Sequence, residues 1–265
     1  MHIYANPKRF LALASWLTPL LFWSGAALSG AVIVYGLAPD LPGWVKALGL
    51  QAVPPDRLMG ETVRILFIHV PAAWLGMGGW AGIALASAAL LIWKHPLAGL
   101  AARAIAVPGL VFTLICLVTG SIWGRPTWGT WWVWDGRLTS MLVLAFLYVG
   151  YLALASTAAR EGASPKIAAI FGMVGAINIP IINRSVVWWN SLHQPPSLTA
   201  GKSAIDGVFL WPLLVAVLGF SLLFGAIVLM RMRALIAEQQ VEARLRRRAM
   251  RDEPLPVAGA MEPAE

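Results

Sequence analysis

The sequence predicts an all-α, polytopic integral membrane protein with six transmembrane helices, both termini cytoplasmic and a tryptophan-rich segment on the outer face. Three observations predict it. Of 265 residues, 59% are hydrophobic and only 12% charged, where a soluble domain carries about a quarter charged residues. The apolar residues fall in runs near 20, the length that crosses a bilayer. Basic residues lie unevenly about those runs. Helices follow because an open sheet edge cannot be satisfied in lipid.

The opening Met1–Phe10 is polar and carries Lys8 and Arg9, so no cleavable signal is expected and the next run stays in the membrane. The spans run roughly Leu17–Ala38, Pro71–Trp93, Ala104–Ile122, Leu138–Ser156, Ile167–Asn183 and Val208–Met230. Asn178 and Pro180 in the fifth predict a kink and a helix–helix hydrogen bond. Thirteen Lys and Arg fall on one side, among them Lys94, Arg103, Arg160 and Lys166, and seven on the other. The richer side is cytoplasmic.

Residues 1–230 therefore form a membrane domain and 231–265 a cytoplasmic basic tail. From Arg231 to Arg251 the tail reads as a basic helix on the inner leaflet; beyond Asp252 it has no periodicity and reads as disordered. The net charge of +8 is concentrated here, beside a span, where it sets topology and touches anionic lipid. Nucleic acid is not expected as a partner. The single cysteine, Cys116, excludes an internal disulfide and a covalent C-x-x-C-H haem site, and reads as a buried hydrophobe.

The outer loops carry the unusual residues. Pro39–Val70 contains P-P-D-R and an amphipathic stretch, Asp56–Ile68, with Asp56 as its N-cap. Residues 123–137 read W-G-R-P-T-W-G-T-W-W-V-W-D-G-R, with Trp123, Trp128, Trp131, Trp132 and Trp134 followed by Asp135. An interfacial belt explains one or two such residues at a helix end, not five in twelve. If 128–135 is helical, Trp128, Trp131 and Trp132 share a face with Asp135; if extended, Trp128, Trp132 and Trp134 share one. Either arrangement makes an aromatic shelf for a flat ligand with charged edges. Asp135 either caps the fourth span, orients an indole N–H or binds a basic side chain.

No ionisable residue lies deep in any predicted span, which counts against an ion-coupled transporter. Of four histidines, His2 and His95 fall on the cytoplasmic side and are given no role. His69, in H-V-P, and His193, in H-Q-P-P, fall on the outer side, on different loops flanking the aromatic segment. Haem iron accepts an axial imidazole on each face, so the pair predicts a bis-histidine haem site. Arg64, Arg125, Arg137 and Arg184 are candidate partners for the propionates, Arg64 and Arg125 foremost. Interfacial histidines and flanking arginines are the plain alternative for each residue taken alone.

W-G-R-P-T-W-G-T-W-W-V-W-D-G-R-L-T-S resembles the WWD signature of haem-handling proteins in cytochrome c maturation. H-V-P-A-A-W at His69 and V-W-W-N-S-L-H-Q-P at His193 are similar to further motifs of one branch, the CcmC family, over residues 10–230. The resemblance implies a bacterial inner-membrane protein that binds haem b non-covalently as cargo at the periplasmic face. Its axial ligands would be His69 and His193, over the tryptophan platform. It implies hand-over to the haem chaperone CcmE, beside a CcmD-like small protein and ABC-type CcmA and CcmB subunits. Such a protein is not an enzyme, though it may assist attachment of haem to the chaperone. The competing reading is a b-type electron-transfer cytochrome or quinone-linked oxidoreductase subunit, which more often carries paired histidines within its helices.

Overall fold

The computed structural model describes residues 6–57, 59–189, 191–193, 198–199, 202–203 and 205–252. The expectations for His2, for residues 194–196 and for the tail beyond Asp252 lie outside it. Six apolar segments are long enough to span a membrane, as predicted. They comprise α1 (Pro7–Leu37), α3 (Leu66–Trp93), α4 (Ala98–Trp128), α5 (Gly136–Arg160), the pair α6 (Lys166–Gly175) and α7 (Asn178–Trp188), and the first part of α8 (Gly207–Asp252). A short helix, α2 (Gly43–Ala47), and a two-stranded ladder of β1 (Leu198–Thr199) with β2 (Lys202–Ser203) lie between spans.

Local chemistry sets the ends. Asn6 accepts a hydrogen bond from the Lys8 N–H at 2.9 Å and Pro7 occupies the first turn of α1, both favourable at a helix start. The predicted helix at Asp56–Ile68 is absent as such. The Asp56 carboxylate accepts from the Met59 N–H at 2.9 Å and closes a turn, and a 3-10 turn at Glu61–Ile65 leads into α3. The second span thus begins at Leu66, and Pro71 lies inside the helix, not at its first turn.

The fifth span breaks as Pro180 requires. Its missing N–H leaves the Ala176 carbonyl without its helical donor, and the chain tightens to i→i+3 bonds, Ile177 N–H to Val174 O at 3.2 Å and Ile179 N–H to Ala176 O at 3.1 Å. Asn178 makes the expected interhelical bond, donating to the Ser140 carbonyl of α5 at 2.9 Å.

α3 is central, packed against α4, α6 and α8, with α1 on α8 and α5 against α4, α6 and α7. The core centres on Trp80 and Tyr148, both fully buried with rings 4.9 Å apart edge-to-face. The Tyr148 hydroxyl donates to the Gly76 carbonyl at 2.7 Å. α1 meets α8 where backbones touch: a Cβ on Gly219 would sit 2.7 Å from the Ser29 nitrogen, and one on Gly25 2.6 Å from the Leu223 nitrogen. Small residues at such crossings replace the hydrophobic drive that lipid cannot supply.

α8 runs unbroken for 46 residues, about 69 Å at a rise of 1.5 Å per residue. The helix expected for Arg231–Arg251 is present, but as a continuation of the sixth span. No glycine or proline between Ala226 and Asp252 offers a point at which to turn onto a membrane surface.

Candidate functional site

The tryptophan segment is neither wholly helical nor extended. α4 continues through Pro126 to Trp128, then ends at Gly129, whose φ of 78° is the left-handed conformation glycine adopts without penalty. Residues 130–134 form an irregular link to Asp135, which caps α5. The link is tied back to α4, since the Ser121 hydroxyl donates to the Trp131 carbonyl at 2.6 Å.

The last turns of α4 receive His69. Its ring lies against Gly120, where a Cβ would be 3.0 Å from Cε1, and edge-on to Trp123 with centroids 5.6 Å apart. Nδ1 is 3.0 Å from the Thr119 hydroxyl oxygen, whose own proton is donated to the Ile115 carbonyl at 2.6 Å. Thr119 therefore accepts, and His69 carries its proton on Nδ1.

His193 enters from the connection between α7 and α8. Its Nδ1 lies 2.8 Å from Asp135 Oδ2, and its ring is edge-on to Trp128 with centroids 4.6 Å apart. A carboxylate only accepts, so His193 also carries its proton on Nδ1. Ser191 donates to the same Oδ2 at 2.5 Å, while Oδ1 accepts from the Leu138 N–H at 2.8 Å. Of the three roles open to Asp135, capping and holding a basic side chain are both present. Among the described residues the hydrogen bonds of the His193 ring all run through Nδ1, and the His69 ring meets the Cys116 backbone besides Thr119.

Burial disfavours the charge on Asp135, yet hydrogen bonds from Ser191, Leu138 and His193 outweigh it and hold the carboxyl below its ordinary value. Burial lowers the His193 pKa, and the attraction of Asp135 only partly offsets it. The His193 ring therefore stands ready to present a neutral Nε2 lone pair. The two rings are near enough to feel each other's charge, and the charge of Arg137 reaches both.

The remaining arginines sit differently. Arg64, buried, gives Nε to Glu61 at 2.6 Å and Nη1 to the carbonyls of Gly36 and Ala38 at 3.2 and 2.7 Å. Arg125, exposed, donates to the Gly129 carbonyl at 2.9 Å and so closes its own helix. Arg184 is exposed on α7. Of the four, Arg137 is the one whose charge reaches the histidines.

Trp131 and Trp134 are exposed, and Trp132 packs edge-on to Trp134 at 5.5 Å. The indole N–H groups of Trp123 and Trp132 are buried without an acceptor among the described residues, a costly condition unless a ligand atom completes them. Among the described residues no group of three or more His, Cys, Asp or Glu gathers to hold a bare metal ion. Two imidazoles suit an iron whose other four positions a porphyrin already fills.

Sequence reasoning missed Thr119, Gly120, Ser121 and Ser191. Each is a small residue in a run dominated by larger signals. Only the placement of Ser191 two residues before His193 hinted at a partner.

The profile of the family described as heme exporter protein C (CcmC) matches residues 1–247. Heme exporter protein C of Bradyrhizobium diazoefficiens is 45% identical over 240 residues, 90% of this chain and 86% of that protein. The Escherichia coli protein of that name is 42% identical over 236 residues, 89% and 90% of the two chains. A ccmC-like mitochondrial protein of Marchantia polymorpha, named for cytochrome c biosynthesis, is 39% identical over 221 residues, 82% and 94%. The chain belongs to the heme exporter protein C family.

Proposed function

From that membership we propose that the chain binds haem b non-covalently as cargo and delivers it for c-type cytochrome biogenesis. It works in the bacterial inner membrane, with the site on the periplasmic side and both termini cytoplasmic. The observation that carries the reading is the pair of imidazoles, from α3 and from the connection between α7 and α8, each with Nδ1 engaged beside the tryptophan segment.

In this reading His69 and His193 ligate the iron from opposite faces. Trp123, Trp128, Trp131, Trp132 and Trp134 enclose the ring, and the unpartnered N–H groups of Trp123 and Trp132 meet its polar atoms. Arg137 is the cation best placed for a propionate. Arg125 and Arg184 supply positive charge at the rim, and Arg64 acts by holding the start of α3 against the end of α1. Exposed Trp131 and Trp134 leave one edge of the cargo open toward an acceptor.

That acceptor is the haem chaperone CcmE, with a CcmD-like protein and the ABC-type CcmA and CcmB subunits as neighbours. The chain carries no bond-breaking step of its own; it binds, orients and releases. The test is transfer: haem-loaded full-length protein is mixed with purified chaperone, and the haem absorbance is followed after separation. Movement of haem to the chaperone is expected from the wild type and not from His69→Ala or His193→Ala. Equal transfer from all three would refute the assignment.

A further inference from the structure

The two imidazoles are held alike in geometry but by acceptors of different chemistry. Thr119 presents a neutral oxygen whose proton is already committed to Ile115 O at 2.6 Å. Asp135 presents a carboxylate oxygen, and the Ser191 hydroxyl at 2.5 Å and the cap to Leu138 at 2.8 Å fix its direction. A carboxylate accepting Nδ1–H makes an imidazole more basic and a stronger metal donor, and such partners also fix tautomer and ring orientation.

Resting on the haem-binding reading, we propose that Thr119 and the Asp135–Ser191 pair are positioning residues that make the two axial ligands unequal. His193 is the retained ligand and His69 the one exchanged when haem is handed on. In the exchange the bond from iron to His69 Nε2 breaks and the lone pair of an incoming donor takes its place. His69 leaves as a neutral imidazole, its Nδ1–H still donated to the Thr119 oxygen. No electron changes hands and no proton is needed.

The placement of the two rings agrees with this division. His193 is tied to Asp135, the residue that caps α5, and lies edge-on to Trp128 at 4.6 Å, closer than His69 to Trp123, so the retained ligand is anchored to the tryptophan segment itself. His69 is held by neutral oxygens alone, the Thr119 hydroxyl and the Cys116 backbone, with an edge contact to Trp123.

The test uses full-length protein in detergent, loaded with haem and reduced, with carbon monoxide as the probe. Carbon monoxide takes the position of the ligand that leaves, and its stretching frequency reports the imidazole that stays. Asp135→Asn keeps the cap through its oxygen but turns an amide N–H₂ toward His193 Nδ1–H, so the frequency is expected to shift. Ser191→Ala, which frees Oδ2 to accept more strongly from His193, is expected to shift it less and in the opposite direction, and carries the test if the asparagine variant does not assemble. Thr119→Val is expected to leave the frequency unchanged and to speed carbon monoxide uptake several-fold, with Thr119→Ser restoring the rate. A shift with Thr119→Val and none with Asp135→Asn would overturn the proposal, because His193 would then be the ligand exchanged. Frequencies identical in all variants would overturn it as well, since the ligands would be equal. A wild type that takes up no haem shows itself before any gas is added, and overturns the haem-binding reading.

Discussion

Gly120→Ala separates the site from the scaffold. The residue lies in the interior of α4, where alanine gains about 1 kcal/mol over glycine in helix propensity. The added methyl meets the His69 ring, however, 3.0 Å from Cε1, 3.6 Å from Nδ1 and 3.9 Å from Nε2. Carbon atoms in contact rest at roughly 3.5–4.0 Å, so the ring must withdraw by about half an ångström or tilt. Either movement stretches the 3.0 Å contact with Thr119. Losing that bond costs about 1 kcal/mol, and an off-rotamer ring about another 1 kcal/mol. Haem binding should weaken by up to about 2 kcal/mol, on the order of 30-fold, because the ring must return to its place against the methyl. Stability without haem should fall by no more than about 1 kcal/mol, the two losses less the gain in propensity. Titration of the apo-protein with haem, followed by absorption, gives the first quantity, and unfolding in detergent gives the second. Wild-type affinity in a stable variant would refute the placement of His69 at the iron.

Tyr148→Phe should cost about 1 kcal/mol in thermal unfolding, through loss of its buried bond to Gly76, with haem affinity unchanged. Gly219→Val should cost about 1–3 kcal/mol by forcing α1 from α8 at Ser29, read as a lower midpoint. Trp134→Ala, at an exposed position, should leave the unfolding midpoint unchanged and speed haem loss; an unchanged off-rate would mark Trp134 as interfacial only. The folded His193 pKa lies below its unfolded value, so the unfolded chain binds the extra proton. Its contribution is complete above the ordinary histidine value of about 6.5 and is lost as pH falls through and below it. Unfolding midpoints of the apo-protein should drop as pH is lowered from 7 toward 5 in the wild type, drop less in His193→Gln, and drop more in Asp135→Asn, which removes the attraction that partly holds the His193 pKa up.

Periodicity and length made the spans legible, because bilayer thickness fixes how many apolar residues a crossing needs. The site was legible through its largest signals, the crowded indoles and the two outer histidines. What escaped was the detail that backbone hydrogen bonding decides. Gly124, Arg125 and Pro126 read as a helix end, yet α4 absorbs the proline and runs on, which puts Trp123 on a rigid helix against His69 instead of on a loop. Thr119 looked like any threonine in an apolar run, since only the turn of α4 aims its lone pair at a ring fifty residues earlier. Arg64, near His69 in sequence, turns to the carbonyls at the end of α1 instead. Arg137, placed behind Arg64 and Arg125 among the candidate propionate partners, is the arginine whose charge reaches both histidines.

The central claim is tested most directly by the absorption spectrum of the full-length protein with haem, oxidised and reduced, beside His69→Ala and His193→Ala. The account predicts a low-spin, six-coordinate spectrum in the wild type that is lost or becomes high-spin in each variant. A wild type without haem, or variants with the wild-type spectrum, would contradict it.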